Sequence, residues 1–308
     1  MILAVCLNPC IDKTITVNGV RLGEYNRIEQ TSSDMSGKGV NVAVVLKRLG
    51  ANTEFLGFNF RDNARLLEEL LKRENIKNRL IMCEGAVRTN IKLIDLSNGE
   101  LTEFNERGSR VGNDRLSEML ACFENKSADA AFAVMSGSIP AGCRVSAYAE
   151  MIEKAKCCCV LDCAGEAFAA GVEARPYMIK PNRRELEEYL ATRLDTVEQC
   201  LDGALEMIKR GVGLVCVSMG GDGALLTDGK RAYFAPPLKV KVRSSVGAGD
   251  SMTAGICMAL EAGLSLKEAF ACGTAAATAC LLSTGTGLLT CGDYNEILKK
   301  VTVKEIRI

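Results

Sequence analysis

Short, unbroken apolar runs alternate along this chain with stretches of helical periodicity. The runs ILAVCL (2–7), TEFLGF (53–58), AAFAVMSG (130–137), CCCVLD (157–162), YMIKP (177–181) and GLVCVSMG (213–220) predict strands. Helices are predicted over 39–50, 63–75, 114–124, 144–156, 183–190, 197–211, 249–263 and 265–282, where apolar residues recur at three- and four-residue spacing. Gly50 supplies a stop signal for the first of these. Residues 223–235 read as a hairpin turning at Asp228-Gly229. Strands that are apolar throughout are buried on both faces, so the pattern predicts an α/β protein with a mostly parallel sheet between helical layers.

Two stretches break this rhythm. Residues 12–32 and 88–104 alternate apolar and polar positions, the second turning at Asn98-Gly99. Alternation is the mark of a sheet with one wet face. These segments predict a small β-sheet set apart from the main body, serving as a lid, a dimer contact or both.

Composition narrows the class. The chain has 308 residues, 48% of them hydrophobic, enough for one large domain or one domain with a small appendage. Its 38 basic and 38 acidic residues cancel, and no basic block stands out, so neither nucleic acid nor a membrane surface is an expected partner. No apolar run approaches the length of a membrane span, and the opening MILAVCLNPC reads as a strand instead of a signal peptide, so a cytoplasmic location is expected. The chain has 15 cysteines and no histidine. Imidazole chemistry is therefore excluded. No C-x-x-C pair occurs, so the cysteines read as small buried hydrophobes in a reducing compartment.

Chemistry enters at SSVGAGDSMTAGI, residues 244–256. Gly247, Ala248 and Gly249 lead into a helix expected to start near Ala248. The first-turn amides of a helix lack partners and carry positive potential, which suits a phosphoryl group in transfer. Asp250 in the same turn is placed to take a proton from an attacking hydroxyl. The alternative is an ordinary helix start with a favourable first-turn acid. For the base reading, the helix terminus is expected to lower the Asp250 pKa, which makes it a weaker base. A second stretch, Ser36-Gly37-Lys38-Gly39, precedes another helix with Asn41 in its first turn and suits an anionic substrate group or a plain surface loop. In IKPNRRELEEYL, Asn182 and Glu185 sit at capping-box spacing or in the shell of a phosphate-bound Mg²⁺. VSMGGDGALL is either a plain hairpin or a nucleotide cradle.

The order and spacing of these stretches over essentially the whole chain resemble the PfkB family of ribokinase-like carbohydrate kinases. LNPCIDKTITV, SGKGVNVAVVLKRLG, RTNIKL, MSGSIP and SSVGAGDSM are most similar to its hexose-phosphate branch, the 1-phosphofructokinases and tagatose-6-phosphate kinases. The resemblance implies a single ribokinase-like domain over 1–308, three-layered α/β/α, with the small sheet as lid. It implies transfer from ATP, with Mg²⁺, to a sugar phosphate: D-fructose 1-phosphate, or alternatively tagatose 6-phosphate or fructose 6-phosphate. A non-catalytic sugar-phosphate sensor on the same fold is the reading from another class. By resemblance, Asp250 is the base and Gly247, Ala248 and Gly249 form the anion hole. Asp12, Gly37, Gly39 and Asn41 match positions around the sugar hydroxyls. Lys38, Arg88 and Ser138 match positions near the phosphate already present, joined by Arg27 from a partner subunit's lid in a homodimer. Lys180, Asn182 and Glu185 match the ATP and magnesium side, Glu185 acting on the metal indirectly. Ser218, Gly220, Gly221, Asp222 and Gly223 match the nucleotide loop, with Ser283 near the adenine. One departure is Ser36, where the branch commonly carries glycine; a positive φ there would strain a serine.

Overall fold

The computed structural model describes residues 1–283 and 287–308. The first third of the chain runs β1 (Ile2–Cys6), β2 (Cys10–Val17), β3 (Gln30–Ser36), α1 (Lys38–Arg48), β4 (Thr53–Phe60), α2 (Arg65–Arg73), β5 (Lys77–Cys83), β6 (Arg88–Asp95) and β7 (Leu101–Asn105). The middle continues with α3 (Asn113–Ser127), β8 (Phe132–Ser136), α4 (Ala147–Lys154), β9 (Cys158–Asp162), α5 (Gly165–Glu173), β10 (Met178–Ile179), α6 (Arg183–Leu190), α7 (Val197–Lys209) and β11 (Leu214–Ser218). The last third holds β12 (Ala224–Thr227), β13 (Ala232–Ala235), α8 (Ala248–Glu261), α9 (Leu266–Cys280), α10 (Cys291–Leu298) and β14 (Lys304–Ile306).

The apolar strands assemble into one ten-stranded sheet in the order β14-β13-β12-β11-β10-β9-β8-β1-β4-β5. From β11 to β5 every neighbouring pair is parallel; β12, β13 and β14 add an antiparallel edge. Strand β1 shows why its run is unbroken. Ile2, Ala4 and Cys6 point into one core cluster with residues of α1, α2, α8, α9 and α10. Leu3 and Val5 point into the other, with residues of α3 to α7. Both faces of the sheet are covered, so the fold is the three-layer ribokinase-like arrangement that the apolar runs and the resemblance predict.

The two alternating stretches form a separate four-stranded sheet, order β3-β2-β6-β7. Residues 18–29, between its first two strands, are exposed except where they border the sheet. The sheet feeds directly into the main body: Ser36 closes β3 and Lys38 opens α1. Gly37 is the joint between them, with φ 123°, and a Cβ there would lie 3.1 Å from the Pro9 Cα.

Several elements had no sequence signal. Strand β5 lies at the sheet edge and its first half is polar and exposed, so no apolar run marks it. Helix α5, GEAFAAGVE, is built mostly of small residues and offers little polar-apolar contrast. Helix α10 and strand β14 are short.

All 15 cysteines are free, and ten of them are buried. Cys6 and Cys216 fill one face of the sheet and Cys159 and Cys200 the other. Burial pushes the Cys6 thiol up to about 11 and the Cys216 thiol up to about 12, which keeps both protonated and inert. No cluster among the described residues could hold a metal through His, Cys, Asp and Glu alone. No described helix is long and apolar enough to cross a membrane.

Candidate active site

Parallel strands present their carboxyl ends along one edge, where loops leave the sheet and ligands bind in α/β folds. Ser136 ends β8, Asp162 ends β9, Lys180 follows β10 and Ser218 ends β11. A cleft of 760 Å³ opens there, lined on one side by the lid residues Asp12, Arg88 and Asn90 and on the other by Lys38, Lys180 and Asp250.

Asp250 sits in the first turn of α8. Gly247 precedes that helix in the left-handed region at φ 78°, where a Cβ would strike Leu288 at 2.6 Å, so glycine is required. Ser251 N–H is the first amide of the turn to find a carbonyl one turn back, that of Gly247 at 2.8 Å. The amides of Gly249 and Asp250 have no acceptor among the described residues, so the mouth of the helix carries free donors. Ala248 N–H makes a long bond of 3.4 Å to the Ser245 carbonyl.

The side chain of Asp250 is only 5% exposed yet lines the cleft. Its Oδ2 accepts from Asn41 Nδ2 at 2.8 Å, joining the first turns of α1 and α8. Burial pushes its carboxyl up to about 6; the neighbouring Asp162 carboxylate adds to the rise, against the pull of Lys38, Asn41 and Lys180. This corrects the expectation that the helix terminus lowers the pKa. Desolvation and a like charge outweigh the dipole, and the acid is a better base than its position in the turn suggests.

That like charge was not singled out in the sequence. Asp162 is fully buried, and its Oδ1 meets Lys38 Nζ at 2.9 Å while its Oδ2 meets Lys180 Nζ at 3.2 Å. Thr253 Oγ1 donates to the same Oδ2 at 3.1 Å. Burial alone would raise this carboxyl; Lys180 and Lys38 together outweigh it and hold the group below the ordinary carboxylate range. Lys38 in turn is held above its ordinary value, because Asp162, Asp250 and Glu185 outweigh its own desolvation. An acid closing a buried strand at the ligand edge was the available signal for Asp162.

The Lys38 ammonium also lies 3.9 Å from Glu185 Oε1. Lys180 is 4% exposed, and its Nζ would lie 3.2 Å from a Cβ on Gly249, which brings a cation against the mouth of α8. Asn182 and Glu185 form the expected capping box, with Glu185 N donating to Asn182 Oδ1 and Asn182 N to Glu185 Oε2, each at 2.9 Å. Both nevertheless line the cleft, so the cap and a ligand role are compatible.

A second cavity, of 490 Å³, continues from the first; Asn182, Ser218, Ser245 and Gly249 line both. Its walls include Gly220, Gly221, Gly223 and Ala248 from the expected residues, and Thr274, Ala277 and Thr278 from α9. The Thr274 hydroxyl is buried and has no hydrogen-bond partner among the described residues, within an otherwise mostly apolar slot. Asp222 does not join this wall; it pairs with Arg183 at 2.8 Å. Nor does Ser283, whose Oγ donates to the Leu288 carbonyl at 3.1 Å.

On the lid side, Ser138 and Arg88 both line the first cleft, and Ser138 Oγ accepts from Asn8 at 3.0 Å. Gly37 lines the cleft, but Gly39 does not. A Cβ on Gly39 would strike the Val5 carbonyl, so this glycine serves the packing of α1 on β1 instead of the approach of a sugar. Arg27 lies in the exposed 18–29 stretch and does not reach the cleft within one chain. Ser36 has no positive φ, so the serine is not strained.

The chain matches the family model described as pfkB family carbohydrate kinase over residues 6–290. It is 34% identical over 309 residues to the 1-phosphofructokinase of Rhodobacter capsulatus, covering 99% of this chain and 98% of that protein. It is 33% identical over 290 residues to the 1-phosphofructokinase of Bacillus subtilis (strain 168), covering 93% and 94%. Among solved structures, phosphofructokinase-2 from Escherichia coli in complex with potassium superposes with a TM-score of 0.91 at 27% identity, covering 97% of this chain and 98% of that one.

Proposed function

This chain belongs to the pfkB family of carbohydrate kinases and is a sugar-phosphate kinase; we propose that it transfers the γ-phosphoryl group of ATP to D-fructose 1-phosphate, giving fructose 1,6-bisphosphate. The observation that carries this reading is the meeting, in one cleft, of a buried acid beside unpaired amides with the cations Lys38 and Arg88. A neutral sugar has no use for these cations, whereas a phosphate already on the sugar meets them with charge-assisted hydrogen bonds.

In this mechanism the sugar phosphate lies under the lid and ATP lies along the second cavity, its base toward Thr274 and its phosphates toward Gly247, Ala248 and Gly249. Asn41 aligns the Asp250 carboxylate, which takes the proton of the acceptor hydroxyl as the phosphoryl group moves in line. The amides of the helix mouth and the Lys180 ammonium meet the charge that develops on the transferring oxygens. No covalent intermediate on the protein is needed.

The residues fit Mg²⁺ held mainly through phosphate oxygens and water: among the described residues lining the cleft, Glu185 is the carboxylate beside Lys180 and Asn182 apart from Asp250, and Mg²⁺ bound by few protein ligands is the usual arrangement in such sites. Bound there, the ion would neutralise charge on the phosphates, with Glu185 reaching it through water.

The reading includes a homodimer closed through the lids. In the loop between β2 and β3, Leu22 is 94% and Tyr25 101% exposed, and Phe104 on β7 of the lid sheet is 56% exposed. A second copy covers such a surface and shields its strand edges, and it would bring Arg27 to the neighbouring cleft. Sedimentation at micromolar concentration is expected to show a dimer; a monomer would remove Arg27 from the site. The 15 free thiols suit a reducing cytoplasm.

A coupled assay for ADP release tests the function. Turnover is expected with fructose 1-phosphate in preference to tagatose 6-phosphate and fructose 6-phosphate. Turnover only on unphosphorylated sugars would overturn the cation assignment, and turnover on none would turn the reading toward a sensor.

A further inference from the structure

One face of the lid carries an ordered row of polar side chains that the mechanism above uses only in part. Strands β2 and β6 run parallel, with Asp12 beside Asn90 in register. Side chains alternate along a strand, so Arg88, Asn90 and Lys92 share the face that lines the cleft. On that face Lys92 Nζ meets Asp12 Oδ2 at 2.8 Å and Asn90 Nδ2 meets Asp12 Oδ1 at 3.1 Å. Arg88 Nη1 donates to Asn90 Oδ1 at 3.3 Å, completing a chain of donors that ends on one carboxylate.

Lys92 is unusual in this row. It is 7% exposed, and Asp12 is 3% exposed, so the pair is buried together on the cleft face of the sheet. Buried ion pairs are seldom worth their desolvation as stabilisers, and an apolar pair would serve a lid's packing as well. Holding a carboxylate still is what the arrangement achieves. With Lys92 on one oxygen and Asn90 and the Cys10 thiol on the other, Asp12 is held in place in the cleft wall.

We propose that Lys92 is a positioning and specificity-determining residue, which clamps Asp12 as a fixed double acceptor for sugar hydroxyls and so decides which hydroxyl pattern the lid accepts. This rests on the kinase reading above. A carboxylate fixed on both oxygens rewards a sugar whose hydroxyls meet it and leaves its remaining acceptor sites unmet when they are absent or inverted. That asymmetry is how hydroxyl recognition discriminates strongly.

The test is a double-mutant cycle with Lys92→Met and Asp12→Asn, read as KM and kcat separately for the sugar phosphate and for ATP. Lys92→Met is expected to raise the KM for the sugar phosphate about 30-fold, the usual scale for a buried charge pair that has lost one partner. The KM for ATP should stay within about twofold and kcat should fall far less than the sugar KM rises, since the chemistry lies elsewhere. Preference over the epimeric sugar phosphate should shrink in parallel. In the Asp12→Asn background, Lys92→Met should add less than about threefold, because Lys92 acts through Asp12. Independent, multiplying effects would mean that Lys92 holds the substrate phosphate directly and would overturn the proposal, as would an unchanged sugar KM. A melting-temperature increase with an ATP analogue, retained in each variant, separates loss of the clamp from loss of folding. Failure of the wild type to turn over any sugar phosphate would instead strike the kinase reading itself.

Discussion

Asp250→Asn is expected to lower kcat by roughly 10³-fold while leaving the fold intact, the scale of losing a positioned general base. The amide replaces the carboxylate with little change of shape and can still accept from Asn41 through its Oδ1. Stability should hold or rise slightly, and the sign follows from the pKa. Burial and Asp162 raise the Asp250 carboxyl to about 6, so at neutral pH the folded state carries a charge that it disfavours. Removing that charge relieves the fold at the expense of the reaction. Steady-state kinetics beside a thermal melt check both halves. A kcat near that of the wild type would contradict the base assignment, whereas a collapsed melting temperature would show that the residue serves structure.

Asp162→Asn is expected to do the reverse, damaging both fold and reaction. The carboxylate lies between two lysines, and Lys180 is nearly as buried as the acid itself. Removing one partner leaves a buried ammonium unmatched, a loss of about 3 kcal/mol for pairs of this kind. Lys38 is partly exposed, so water screens its share and it adds little. The pH profile carries the sharper reading. In the wild type, kcat/KM should fall as pH drops through about 6, because Asp250 must be ionised to accept a proton. In Asp162→Asn the repelling carboxylate is gone and both lysines turn their charge on Asp250. Its pKa must fall, and the acid limb of the profile must move to lower pH. A limb that stays in place, or moves up, would mean that Asp162 does not tune the base.

Much of this architecture was legible before any coordinates. The unbroken runs at β1, β4, β8, β9 and β11 and the alternation at β2 and β6 follow from which faces of a strand meet water, a local property written in neighbouring residues. The helix starts at Gly247 and Asn182 were legible for the same reason, since capping is set within one turn. Gly247, Gly37 and Asp250 owe their place in the cleft to such local geometry. Strand β5 and helix α5 were not legible, because the first is held by its sheet neighbour and the second has too little contrast to show a face.

Residues whose meaning lies in a distant partner divide differently. From the sequence come the class of fold, the lid and the presence of an acid at a helix mouth. Tertiary structure alone decided that Asp162 would meet Lys38, 124 positions away, and Asn41 would meet Asp250, 209 positions away. It also decided that Lys92 would clamp Asp12 across two strands, that Gly39 packs instead of binding, and that Asp222 turns away to Arg183. The reason is the range of the forces. Periodicity and capping act within a few residues, whereas desolvation and Coulomb interaction depend on what the folded chain brings within a few ångströms. The pKa of Asp250 is the clearest case: its helix points it downward, and its burial beside a second acid sends it up.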